Sequence, residues 1–290
     1  MLLSSRDPLH AYGFFALRIL CLPGRKERSY VKNPSGIVHH AANGYTTVAE
    51  AYVRGRPEYP QALSDWLRDE IGLTRGARVV DLGAGTGKMT PRLLATGADV
   101  VAIEPVTQML DKLSTTYPRV EALTGAAQAI PLADCEVDAV VCAQSFHWFA
   151  GPAALAEIHR VLKPGGRLAM LWNLSDTRVP WVAALSALIN RYEGDAPRFH
   201  TGAWRDAFPH PGFGPLVERR YEHLHVGKPE DVIFNRVHSI SFVAALTPER
   251  RAALDSELRR LLDGEPTLSS RDEIAVPYLT AALHTIKLPA

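Results

Sequence analysis

Cysteine is scarce: Cys21, Cys135 and Cys142 are the only three in 290 residues, and no two form a CxxC pair. Such usage argues against a disulfide framework or a structural zinc and suits a reducing compartment. No charge of one sign dominates, since 32 lysines and arginines face 31 aspartates and glutamates, for a formal net charge of +1. A chain so balanced lacks the basic surplus that nucleic acid or an anionic membrane surface attracts, so neither is expected as a partner and a small molecule is. Long apolar runs are missing too. The best candidate, AYGFFALRILCLPG (residues 11–24), is interrupted by Arg18 and too short to span a bilayer, and no small-residue cleavage pattern follows it. The expected compartment is the cytoplasm. Internal repeats and low-complexity tracts are also absent.

What is present is an alternation of β-rich apolar runs and helical stretches, the βαβα pattern of a parallel sheet covered by helices, hence an α/β fold. The spacing predicts helices over 60–72, 87–97, 106–117 and 152–163 and strands over 77–83, 99–105, 119–125, 137–144 and 167–173. Continuous runs such as Val79-Val80 and Val100-Val101-Ala102-Ile103 suit strands buried on both faces. Residues 174–216, rich in proline, glycine and aromatics, read as an insertion after the fifth strand. Strands are expected again at 217–226 and 275–287, separated by helices near 229–240 and 248–263. Residues 1–36 read as an N-terminal extension and residues 37–290 as a single domain.

The stretch VVDLGAGTGKMT (residues 79–90) asks for a ligand. A phosphate-binding GxxxxGK[ST] loop is excluded, because Lys88 is followed by Met89 and the position five before Gly87 is Leu82. A dinucleotide GxGxxG fingerprint is disfavoured, because Lys88 stands where close helix packing wants glycine or alanine. What remains is a tight strand-to-helix turn whose glycines let the backbone approach a ligand. Glu104, at the carboxyl end of the following strand, is placed to accept hydrogen bonds from ribose hydroxyls, so a nucleoside is expected and phosphate recognition is not.

With AYVRGRPEYP (51–60), VVDLGAGTGKMT, VVAIEP, AQSFHWF (143–149) and EIHRVLKPGGRLAMLWN (157–173), the chain resembles the class I S-adenosylmethionine-dependent methyltransferases over about residues 38–290. The HWF and RPEYP elements look most like the branch that includes trans-aconitate methyltransferase. The resemblance implies a Rossmann-like, seven-stranded, mostly parallel sheet with an antiparallel last strand and helices on both faces. It implies S-adenosyl-L-methionine as cofactor, surrounded by Asp81, Gly83, Ala84, Gly85 and Gly87. Glu104 would take the ribose hydroxyls, Pro105 and Val106 would flank the adenine, and Ala127 and Gln128 would reach its edge. Gln144 joins this cofactor set, and Trp148 and Trp172 fall on the substrate side. Tyr52 and Arg56 would belong to a lid over about residues 41–60, with the Arg56 guanidinium on the methionine carboxylate.

In-line attack on a sulfonium methyl needs position more than acid or base. A carboxylate acceptor is already ionised near neutral pH, whereas a phenol, hydroxyl or enolisable carbon gains from a base, for which His147 is the candidate. Its other reading is a structural histidine among Phe146, Trp148 and Phe149. His223 and His225 share a strand face without a third ligand, so no metal is expected; His39 and His40 read as solvated and Cys142 as buried packing. The expected function is methyl transfer to a small-molecule acceptor, a carboxylate among the candidates, with the acceptor pocket built by residues 174–216 and the lid. Alternatives are a quinone-type carbon methyltransferase, a cofactor-binding module without catalysis and, disfavoured by Lys88, an NAD-dependent oxidoreductase.

Overall fold

A computed structural model describes residues 55–268 and 271–289. Helix α1 (Ala62–Asp69) leads into β1 (Arg78–Leu82), α2 (Thr90–Leu94), β2 (Asp99–Glu104), α3 (Thr107–Thr116) and β3 (Glu121–Thr124). Then follow β4 (Val137–Ala143), α4 (Pro152–Val161), β5 (Leu162–Ser175), α5 (Pro180–Asn190), β6 (Val217–Gly227), α6 (Pro248–Asp263) and β7 (Ile274–Ile286). One seven-stranded sheet results, in the order β3-β2-β1-β4-β5-β7-β6. Strands β1 to β5 pair in parallel, and β7 runs antiparallel to both β5 and β6, the architecture expected from the sequence.

The period-2 geometry of a strand sends alternate residues to opposite faces, and β1 shows the result. Val80 and Leu82 enter one core with Leu155 and Ile158 of α4, while Val79 enters the other with Leu63, Trp66 and Leu67 of α1. Burial on both faces is what the unbroken apolar runs of these strands require. A third apolar cluster joins α5 and α6 to the end of β7 that carries Ile274, Val276 and Tyr278.

Two of the boundaries that differ from the sequence expectation bear on the site and its sheet. Helix α2 begins at Thr90 and not near residue 87, because Gly83, Gly85 and Gly87 all take left-handed φ (72°, 57° and 87°) and no helical turn forms across them. Strand β5 begins at Leu162, five residues before the expected start at 167, and its pairing with β4 slips between Val137 and Ala139. Cys142 is free and buried, and burial pushes its thiol pKa well up, which leaves it inert. Cys135, against the expectation of no disulfide, is disulfide-bonded. Among the described residues, no helix is long and apolar enough to cross a membrane.

Candidate active site

A cleft opens at the carboxyl ends of β1, β2, β3, β4 and β5, where loops leave a parallel sheet and ligands bind in such folds. Asp81, Gly83, Ala84 and Gly85 line it from the glycine loop, and Glu104, Pro105 and Val106 from the end of β2. Ala127 and Gln128 follow β3, Gln144 and Trp148 follow β4, and Arg56 comes from the N-terminal side. Gly87 lies behind this surface. A Cβ there would stand 2.8 Å from the Tyr117 ring, so its absence of side chain serves packing of the loop. Gly83 is equally constrained, since a Cβ would stand 2.7 Å from that of Ser145, whose hydroxyl donates to the Leu82 carbonyl at 2.6 Å.

Two carboxyl groups occupy the floor. Glu104 is buried and accepts from the backbone N–H of Gly85 at 2.9 Å and of Val106 at 3.0 Å, one to each oxygen. Burial raises its pKa while these two donors oppose the rise. The bonds fix the carboxyl plane and leave lone pairs on both oxygens for a diol. Asp81 has no exposed surface, and among the described residues its Oδ1 lacks a hydrogen-bond partner and only Thr90, at 3.4 Å, reaches Oδ2. Its pKa rises to about 7, first through burial and then through the charge of Glu104, against the Thr90 hydroxyl. An orphaned buried carboxyl beside a cradle free of Cβ atoms fits a ligand with a cationic group and a ribose, as S-adenosylmethionine has.

Other expected residues fall elsewhere. His147, in a short 3-10 turn (Phe146–Trp148), is not part of the cleft lining; its Nδ1 accepts from the Trp172 indole at 3.0 Å. That bond places the ring proton on Nε2, and burial, with Arg198 and Arg56 near, lowers the pKa to about 3. Trp172 is also off the cleft: it is core, 4.8 Å from Trp204 and 5.0 Å from Phe199 between ring centroids. Arg56 donates from Nε to the Ser239 hydroxyl at 3.0 Å and from Nη2 to the Ser239 carbonyl at 2.8 Å, so the guanidinium edge expected to grip a carboxylate is engaged. Tyr52, His39 and His40 lie outside the described residues.

Residues 174–216 contribute nothing to the lining. Their aromatics Phe199, Trp204 and Phe208 pack against Trp172 and Phe146, because that apolar surface on the flank of β5 needs covering. His223 and His225 share a face as expected, yet both rings pack on Tyr278, and His225 Nε2 meets the Gly55 carbonyl at 3.0 Å. No group of three or more metal-ligating side chains occurs among the described residues.

Ser145, Asn173 and Arg236 are among the lining residues that the sequence did not mark as functional. Ser145 follows β4 and Asn173 lies among the last residues of β5, and the carboxyl ends of those strands are the signal that could have found them. Asn173 donates toward the Pro57 and Glu58 carbonyls, accepts from Thr280 at 2.6 Å, and its own carbonyl takes the Gln144 side-chain N–H at 3.1 Å. Gln144 holds left-handed φ (57°), unusual for a side chain with a Cβ and frequent at functional turns. Arg236 carried no local signal at all.

A methyltransferase-domain profile matches residues 80–170. An uncharacterized methyltransferase-like protein of Schizosaccharomyces pombe is 39% identical over 246 residues, covering 84% of this chain and 95% of its own. An uncharacterized methyltransferase of Mycobacterium bovis is 40% identical over 233 residues, covering 80% and 91%. The structure of a putative type II methyltransferase from Anaeromyxobacter dehalogenans superposes with a TM-score of 0.59 at 24% identity, covering 81% of this chain and 99% of that one. A glycine turn without phosphate chemistry, a fixed glutamate and relatives matched along most of their length agree: the chain belongs to the class I S-adenosylmethionine-dependent methyltransferase family.

Proposed function

We propose that the protein methylates a small-molecule acceptor and that the acceptor atom is a carboxylate oxygen. The observation that carries the choice of acceptor is the state of His147. With its pKa near 3 and its Nδ1 bonded to Trp172, this ring is neutral at pH 7 and takes no proton there. A phenol, hydroxyl or carbon acid gains no base from this imidazole, whereas a carboxylate is ionised above a pKa of about 4 and needs none.

When bound, S-adenosylmethionine supplies an electrophilic sulfonium methyl, which the acceptor oxygen takes as the carbon–sulfur bond breaks and its electron pair stays on sulfur. The chain's own part is placement. Glu104 accepts the ribose hydroxyls through the lone pairs that Gly85 and Val106 leave open. Asp81 accepts from an ammonium group, which favours its ionised form although burial alone raises its pKa. Gly83 and Gly85 admit the ligand against backbone, and Ala127 and Gln128 border the base. Trp148 and Phe149 wall the acceptor side and exclude water, which strengthens the electrostatic contacts inside. No residue has to move a proton.

Calorimetric titration with S-adenosylmethionine and S-adenosylhomocysteine tests the cofactor. The native chain is expected to bind both, and Glu104→Ala to weaken each at least tenfold, about 1.4 kcal/mol. An intact chain that binds neither would remove this reading. Acceptor screening with methyl-labelled donor then tests the chemistry: a methyl ester product supports the carboxylate, and an N- or C-methylated product overturns it.

A further inference from the structure

Strand β6 closes one side of the sheet. It pairs with β7 along all 11 of its residues, and among the described residues no strand lies against its outer edge. An open edge offers its backbone N–H and C=O groups to any other strand, and proteins blunt it with a proline, a bulge, charges or a short length. β6 holds no proline, its register with β7 runs without a shift from Val217 to Gly227, and it is about twice the usual strand length. Charge protects only one half. Glu218, Arg219, Arg220 and Glu222 stand early in the strand, whereas His223–Gly227 holds no charge at pH 7, because burial pushes the His223 pKa down to about 4 and lowers that of His225.

The uncharged half also carries apolar surface. Strand alternation puts Leu224 and Val226 on the face away from His223 and His225, where they are 60% and 58% exposed, more than any other large apolar side chain among the described residues. Their neighbours in register on β7, the half-buried Pro277 and the exposed Ala275, extend the patch. The aromatics after β5 cover the same sheet face at Trp172, two strands away, and leave Leu224 and Val226 to solvent. Glu222 and Lys228, both exposed, flank the pair on that face. Along one face the order is thus acid, apolar, apolar, base. Turned end for end against itself, the pattern sets acid opposite base and apolar opposite apolar.

We propose that β6 pairs antiparallel with β6 of a second copy of this chain about a two-fold axis at His225, joining two sheets into one. Leu224 then lies opposite Val226 of the second copy and Glu222 opposite Lys228 of the second copy, and the symmetry makes each pair twice. On the other face His223 meets a glycine, Gly227 of the second copy. At the axis two neutral His225 side chains stand opposite each other, each with Nε2 on the Gly55 carbonyl of its own chain at 3.0 Å, so no like charges meet. Side chains on the exposed face select this register. An axis at Tyr221, His223, Leu224 or Val226 sets an apolar side chain against a charged one, and an axis at Glu222 sets that carboxylate against itself.

Sedimentation velocity of the full chain, from roughly 1 to 200 µM, tests the pairing. One strand pair with its flanking charges is a small interface, so a dimer with Kd on the order of 10 µM is expected, and nothing larger, because a two-fold contact closes on itself. Leu224→Asp is expected to raise the Kd about tenfold or more. Glu222→Lys and Lys228→Glu, which set like charges opposite each other, should each raise it about threefold or more. The double variant Glu222→Lys/Lys228→Glu restores opposite charges and should return the Kd to within about threefold of native. That rescue cannot come from Arg178, the partner of Glu222 within the chain, because the double variant leaves arginine beside lysine. A native chain that stays monomeric throughout, or that grows beyond two copies, overturns the proposal. So does a dimer that Leu224→Asp leaves intact, or a double variant as weak as the single ones. A cooperative thermal transition shows that each variant folds, and if Leu224→Asp lacks one, the charge series decides.

Discussion

At the scale of single residues, Asp81 and His147 show burial shifting two pKa values in opposite directions, each toward neutrality. Asp81 has its pKa raised to about 7 from 3.8, so the fold favours its protonated form. The stability from that preference is present below the unfolded value and is lost as pH rises through about 7. Asp81→Asn is therefore expected to raise the melting temperature of the ligand-free chain above pH 7, by a few degrees, and to weaken S-adenosylhomocysteine binding; scanning calorimetry and titration check the two halves. His147 behaves as the mirror case. Its folded pKa near 3 favours the neutral ring, so stability is lost as pH falls from the unfolded value of 6.5 toward 3. The pH profile of kcat/KM should accordingly contain no limb that depends on His147, and a limb near 6.5 lost in His147→Gln would restore a base to the mechanism. Trp172→Phe removes the donor on Nδ1, and NMR titration should then find the His147 pKa higher, though still below 6.5 because burial is the larger cause.

At the scale of elements, the turn between β1 and α2 has the most exacting geometry. Gly87 combines φ of 87° with the Tyr117 ring 2.8 Å from any added Cβ, so Gly87→Ala meets both backbone strain and a clash. A loss of roughly 1–3 kcal/mol in denaturant unfolding is expected. The turn's existence and its lack of phosphate chemistry were legible in the order of Gly83, Gly85, Gly87, Lys88 and Met89. The late start of α2 was not, because dihedral angles and not composition decide where the first helical residue falls. The packing of the segment after β5 is not legible for a related reason. Phe199 and Trp204 look alike as pocket wall and as core, and only their contact with the Trp172 ring decides between them.

At the scale of the molecule, the cleft is a property of the sheet. Five parallel strands end at one edge and bring together the turns after β1, β2, β3, β4 and β5, which stand far apart in sequence. A ligand held only by the folded arrangement stabilises all of it: S-adenosylhomocysteine at about a hundred times its Kd should add about 2.7 kcal/mol and raise the melting temperature by several degrees. An unchanged melting temperature would argue against binding at this cleft. The sequence by itself determined the α/β class, the strand order along the chain, the glycine turn and the glutamate beside it, because those rest on local periodicity and on spacing within one βαβ unit. Tertiary structure alone decided that His147 is a neutral group behind the cleft, that Trp172 is core, and that Arg236 stands beside Arg56 across 180 positions of sequence. Burial and charge proximity set those outcomes, and neither is a property of any stretch of chain taken alone.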